Sequence, residues 1–115
     1  MIEWIARQHA QARLTASVCT GAFLLAAAGV LDGLEVTTHW EDCAELRGAF
    51  PRLVVREGVR WIEHDRVMTS AGISAGLDMS LRIVARFGGQ DLAERTARQM
   101  EYDWRAPVRA VNFTK

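Results

Sequence analysis

The sequence predicts an α/β fold, a mostly parallel sheet with helices on both faces. Three observations carry this. Short apolar runs of strand length alternate along the chain with segments of helical periodicity, the pattern of a parallel sheet covered on both sides. The apolar run Leu14–Val18 passes directly into a small-residue helix, with Cys19 and Gly21 in the turn between them. The length of 115 residues accommodates one domain large enough to bury a core.

Taken in order, Ile2, Ile5, His9 and Ala12 fall on one face at helical spacing and predict a first helix of about three turns. Leu14 to Val18 is the first strand, and Ala22 to Val30 the helix that follows it, closed by Gly29, Asp32 and Gly33. Val36–Thr38 reads as a second strand. Thr38 and Glu41 have the spacing of a capping box, so a helix is expected to start there, with Trp40, Cys43, Leu46 and Phe50 along one side and Pro51 as its stop. Leu53–Val55, Val59–Glu63 and Arg66–Thr69 read as strands, with turns at Glu57–Gly58 and His64–Asp65. Ala75 to Phe87 is an apolar helix broken by Gly88–Gly89. Asp91 and Glu94 open a last helix whose Ala93, Ala97 and Met100 are expected to face inward. Residues 1–105 form the domain; the tail over 106–115, with Pro107, shows no pattern.

Composition narrows the function. Acidic and basic residues number 14 each, so no global field draws nucleic acid or an anionic membrane to the chain. No apolar run is long enough to span a bilayer, and Met1-Ile2-Glu3-Trp4 has no basic-then-apolar signal. Two cysteines without such a signal point to free thiols in a reducing cytoplasm. Neither lies in a Cys-x-x-Cys or Cys/His cluster, so no metal is expected. One feature resists the fold. Nucleophiles in open α/β sheets sit near the sheet centre, yet only one helix precedes the Cys19 strand. The expectation is that the chain lacks the opening β-α-β portion of a larger fold.

The turn around Cys19 has two readings. A sharp strand-to-helix elbow lifts a nucleophile out at the strand end, with small neighbours relieving the crowding. It also sets the sulfur at a helix N-terminus, where partial positive charge favours thiolate over thiol. The alternative is a small cysteine packed between strand and helix.

Four segments extend this to a resemblance. Ser17-Val18-Cys19-Thr20-Gly21-Ala22, Gly29-Val30-Leu31-Asp32-Gly33, Thr37-Thr38-His39-Trp40 and Thr69-Ser70-Ala71-Gly72-Ile73-Ser74-Ala75-Gly76-Leu77-Asp78 occur in the order of the ThiJ/PfpI superfamily. The chain resembles that superfamily, of the flavodoxin-like, class I glutamine amidotransferase-like fold, over Thr15 to Asp103. The pattern is most similar to the isonitrile hydratase group and to the sensor domains of AraC-type regulators. The resemblance implies Cys19 as the attacking thiolate, a small-molecule substrate, no cofactor and a homodimer. It also implies an acidic residue beside the nucleophile, from an opening strand and helix that this sequence does not contain.

Each neighbour of Cys19 carries two readings. Thr20 stands where protease-like relatives have histidine, which argues against peptidase or amidase chemistry. Its backbone N–H suits a developing negative charge, and its hydroxyl suits a cap on its own helix. Gly21 permits close backbone approach. His39, at a strand-to-helix junction, reads as an acid/base or substrate-binding group, or as a junction residue shielding Trp40. Gly72 and Ile73 open a helix whose free N–H groups are expected to line the pocket. Cys43 reads as core, and His9 and His64 as helix-side and turn residues. Asp78 reads as a hydrogen-bonding or dipole-compensating group. Tyr102 and Trp104 read as closing an interface or covering the core.

Three functions follow. The first is an isonitrile hydratase-like enzyme, with Cys19, Thr20 and His39 catalytic and Gly21, Gly72 and Ile73 binding substrate. The second is the ligand domain of an AraC-type regulator, for which the sequence shows neither a helix-turn-helix module nor a DNA-binding charge. The third is a cysteine-based redox or carbonyl-stress role.

Overall fold

A computed structural model describes residues 1–104 and the backbone of 110–112. The main sheet has four strands. These are β1 (Thr15–Val18), β5 (Val67–Ser70), β4 (Trp61–Glu63) and β6 (Ala110–Asn112), in that spatial order. β1 pairs with β5 in parallel, Ser17 opposite Thr69, and β4 pairs with β6 in parallel. The β4–β5 pair is antiparallel, as the tight turn at His64–Asp65 requires. Two short strands, β2 (Glu35–Val36) and β3 (Val54–Val55), form a separate parallel pair.

The strand alternation of β5 divides the core. Val67 packs into a cluster with Ala22, Leu25, Leu31, Val36 and Leu46, whereas the next residue, Met68, packs with Trp61 and Met79. Successive strand side chains point to opposite faces, so the two clusters lie on opposite sides of the sheet. Helices α1 (Ile2–Gln11), α2 (Gly21–Ala27) and α3 (Cys43–Ala49) contribute to or cover the first cluster, and α4 (Ile73–Gly88) the second. Helix α5 (Gln90–Gln99) packs on α4 through buried Ala93 and Ala97. The expected α/β layering is present. No helix among the described residues is long and apolar enough to cross a membrane.

Several local expectations are corrected. The Thr38–Glu41 capping box does not form: His39 is the N-cap, its ring Nδ1 accepting the Glu41 N–H at 3.1 Å, and a 3₁₀ turn over Trp40–Asp42 precedes α3. That tighter turn takes Trp40 off the apolar side and leaves it 75% exposed. Helix α2 stops at Ala27, because Gly29 takes a left-handed φ of +79°. Met100 is half exposed, since α5 ends at Gln99 and Met100 only caps it. In the tail, 110–112 add a strand beside β4; Pro107 lies outside the described residues.

Candidate active site at the strand–helix elbow

Cys19 follows the last residue of β1 with φ +56°, one of two non-glycine residues in the left-handed region among those described. A residue with a Cβ holds that conformation only when its surroundings fix it. The fixing contacts come from both sides. The Cys19 N–H is shared between the carbonyls of Ser70 (3.2 Å) and Ala71 (3.1 Å), where β5 gives way to the α4 loop. The Cys19 carbonyl accepts from the hydroxyl of Thr38 at 2.7 Å. The following residues also meet: His39 Cδ2 lies 3.5 Å from where a Cβ on Gly72 would stand. Residues 19–20, 37–39 and 69–72 thus converge at one end of the sheet.

Buried hydroxyls lace these segments together. The Thr37 N–H donates to Thr69 Oγ1 at 3.0 Å, and Thr37 Oγ1 donates to the Arg56 carbonyl at 2.9 Å. Ser70 Oγ donates to the Ser17 carbonyl at 3.3 Å. Thr37, Thr38, Thr69 and Ser70 are all at most 1% exposed, so unpaired hydroxyls here would be costly. The Cys43 thiol, buried beneath, donates weakly to the carbonyls of Thr38 and His39 at 3.9 and 3.7 Å. Burial raises its pKa, so Cys43 is a protonated core residue, as its helix face predicts.

His39 stacks on Trp40, with ring centroids 5.9 Å apart, and has Glu41 and Asp42 carboxylates at 3.7 and 3.8 Å. Because Nδ1 accepts the Glu41 N–H, the neutral ring carries its proton on Nε2. His39 is then a hydrogen-bond donor at Nε2. It does not shield Trp40, which is the more exposed of the two.

The remaining sequence candidates fall as follows. Thr20 is exposed at the N-cap of α2, but its hydroxyl makes no cap bond there. Gly21 leaves its position open to a Cβ: that atom would meet Ser17 Cβ at 3.5 Å, ordinary contact. Gly72 is the N-cap of α4 and Ile73 its first residue, 82% exposed beside the His39 contact.

Sequence reasoning missed three contributors. Thr38 looked like a helix cap and instead bonds the elbow. Ala71 acts through its carbonyl, which no side-chain pattern reveals. Gly76 permits a close approach: a Cβ there would lie 2.7 Å from Val18 Cγ1, so α4 crosses the end of β1 where only hydrogen fits. Behind it, buried Asp78 accepts from Arg60 Nε (2.7 Å) and Tyr102 Oη (2.7 Å), and its carbonyl accepts from Trp104 Nε1 at 3.3 Å. Tyr102 and Trp104 thus seat the segment after α5 on α4. A shallow pocket of about 330 Å³ between Ala26, Gly29, Phe50 and Arg52 lies at the opposite end of α2 from Cys19.

The match to known proteins is decided by the family model for the DJ-1/PfpI family, which covers residues 1–86. The chain belongs to the DJ-1/PfpI family. It is 40% identical over 105 residues to an isonitrile hydratase of Pseudomonas putida, across 88% of this chain and 43% of that protein. It is 34% identical over 102 residues to the HTH-type transcriptional regulator GbdR of Pseudomonas aeruginosa, across 89% of this chain and 28% of the regulator. Among solved structures, a ThiJ/PfpI family protein from Pseudomonas syringae superposes with a TM-score of 0.79 at 34% identity, covering 92% of this chain and 43% of that one. Drosophila melanogaster DJ-1beta shares the DJ-1/PfpI fold at 17% identity and a TM-score of 0.77, over 90% of this chain and 54% of that one. The chain therefore spans less than half the length of the hydratase it matches.

Proposed function

We propose that this DJ-1/PfpI chain carries the nucleophile half of an isonitrile hydratase-like site, with Cys19 as the nucleophile. The observation that carries the reading is the left-handed Cys19, its N–H held by the Ser70 and Ala71 carbonyls and its carbonyl by the Thr38 hydroxyl, on segments that adjoin His39 and the start of α4. The 40% identity to an isonitrile hydratase supplies the substrate class. In the reaction, the Cys19 sulfur bonds to the terminal isonitrile carbon, and a proton reaches that same carbon to give a thioimidate. Water then adds to the carbon, the nitrogen takes a proton, the C–S bond breaks and an N-formamide leaves. In this reading the His39 Nε2–H serves as a donor and the Thr20 N–H faces developing negative charge. The family resemblance further implies an acidic residue beside the nucleophile.

The test is mass spectrometry of Cys43→Ala protein mixed with an alkyl isonitrile. A thioimidate adduct on Cys19, absent in Cys19→Ser, is expected. An unmodified Cys19 in folded protein overturns the reading.

A second reading, the ligand-sensing domain of a transcriptional regulator, is favoured by the GbdR match, in which this chain aligns with 28% of the regulator. Reversible, saturable small-molecule binding that survives Cys19→Ser supports it over the enzyme.

A further inference from the structure

The left-handed backbone of Cys19 needs a restraint on its carbonyl as well as on its N–H, and the restraint is a side chain. Thr38 Oγ1 donates to the Cys19 carbonyl at 2.7 Å, and Thr38 is fully buried. A hydroxyl has one proton to donate, so this bond fixes its direction. Helix α3 makes no claim on it: the cap bond that the Thr38-x-x-Glu41 spacing offers is made by His39 Nδ1 instead.

The geometry of the peptide carries the consequence. The Cys19–Thr20 bond is trans and planar, so its N–H points opposite to its C=O. With the carbonyl drawn inward to Thr38, the Thr20 N–H is turned outward, to the side where Thr20 is exposed and Cys19 partly exposed. We infer that Thr38 is the positioning residue of the elbow: its hydroxyl sets the plane of the Cys19–Thr20 peptide and thereby holds the amide donor beside the nucleophile. This rests on the reading of Cys19 as the nucleophile. The other hydroxyls of the cluster tie strand to strand, Thr37 to Arg56 and Thr69, Ser70 to Ser17; Thr38 bonds the elbow residue itself.

The experiment compares the Cys43→Ala protein with the same protein carrying Thr38→Val or Thr38→Ser. Backbone NMR shifts of Cys19 and Thr20 report the left-handed conformation, and iodoacetamide reports thiol reactivity. In Thr38→Val the left-handed signature is expected to disappear and Cys19 alkylation to slow about tenfold, the size of one lost buried hydrogen bond. Thr38→Ser is expected to restore the signature and most of the rate. A signature unchanged in Thr38→Val overturns the inference, as does a faster alkylation, which would mark mere loosening. An inert Cys19 whose backbone signature still depends on Thr38 removes the nucleophile reading and leaves the orienting bond standing. Should the valine protein not fold, the parent decides: a slowly exchanging Thr38 hydroxyl proton is expected, and its absence overturns the bond.

Discussion

Gly21 and Gly76 look alike in the sequence as small residues near the elbow, and the structure separates them. Gly21 has ordinary room for a methyl group, whereas a methyl on Gly76 would press to 2.7 Å from Val18 Cγ1. Val18 is β-branched and has little freedom to turn away. Alanine itself favours a helix over glycine by about 1 kcal/mol, and overpacking costs about 1–3 kcal/mol, so Gly76→Ala is expected to destabilise by roughly 1 kcal/mol. Gly21→Ala is expected to leave stability near or above the parent value. Chemical denaturation checks both, and adding Val18→Ala should rescue Gly76→Ala if the clash is the cause. A double variant no better than the single one rejects this account. Cys19 was legible at this scale because its neighbours announce a turn. Thr38 was not, because a hydroxyl before a helix has a local partner in sequence and a distant one in space.

At the scale of elements, the alternation of short apolar runs and helical segments revealed the layering, since it reflects burial that every residue in a strand or helix shares. The boundaries that shifted are those set by competition between local and tertiary contacts. His39 outcompeted Thr38 for the cap of the 3₁₀ turn before α3, and 110–112 formed a strand only because β4 offers an edge. The α1–β1 junction shows the same balance in a titratable form. His9 Nδ1 pairs with Thr15 Oγ1 at 2.7 Å, and Arg66 donates to the carbonyls of His9 and Ala12 at the end of α1. Burial, and then the Arg66 charge, lower the His9 pKa below its ordinary 6.5. The unfolded chain therefore binds the proton first, so this contribution to stability is present above pH 6.5 and is lost as pH falls below it. Melting temperatures from pH 7.5 down to about 5 should fall more steeply in the parent than in His9→Gln. Parallel curves would show that His9 does not carry the dependence. On the opposite face, Arg60→Ala strands Asp78, which is 3% exposed, and is expected to cost about 2 kcal/mol and to loosen Tyr102. A denaturation midpoint and m-value equal to the parent's would reject that.

Across the whole molecule, the nucleophile strand occupies an unusual place. β1 is at the edge of the described sheet, bonded on one side to β5. The N–H groups of Thr15 and Cys19 turn toward β5, so strand alternation turns the backbone groups of Ala16 and Val18 to the open side. Val18 is 45% exposed, and Leu77 on α4 is 40% exposed. Sites in open α/β sheets form where strands on both sides enclose a crevice, and an edge strand encloses half of one. The chain aligns with 43% of the isonitrile hydratase it matches, and we propose that a segment like the unmatched part of that protein covers this edge. The acidic residue that the family resemblance implies beside the nucleophile is worth about 10²–10⁴-fold in catalysis. The chain by itself is therefore expected to form the Cys19 adduct from an alkyl isonitrile but release little N-formamide. Co-expression with the remainder of the hydratase should restore turnover, protect the amides of Ala16 and Val18 from exchange, and lose activity on Cys19→Ser. Rapid formamide production by the chain alone would mean that the half-site is sufficient. Protection of the β1 edge without turnover would place the fault in the chemistry and not in the assembly.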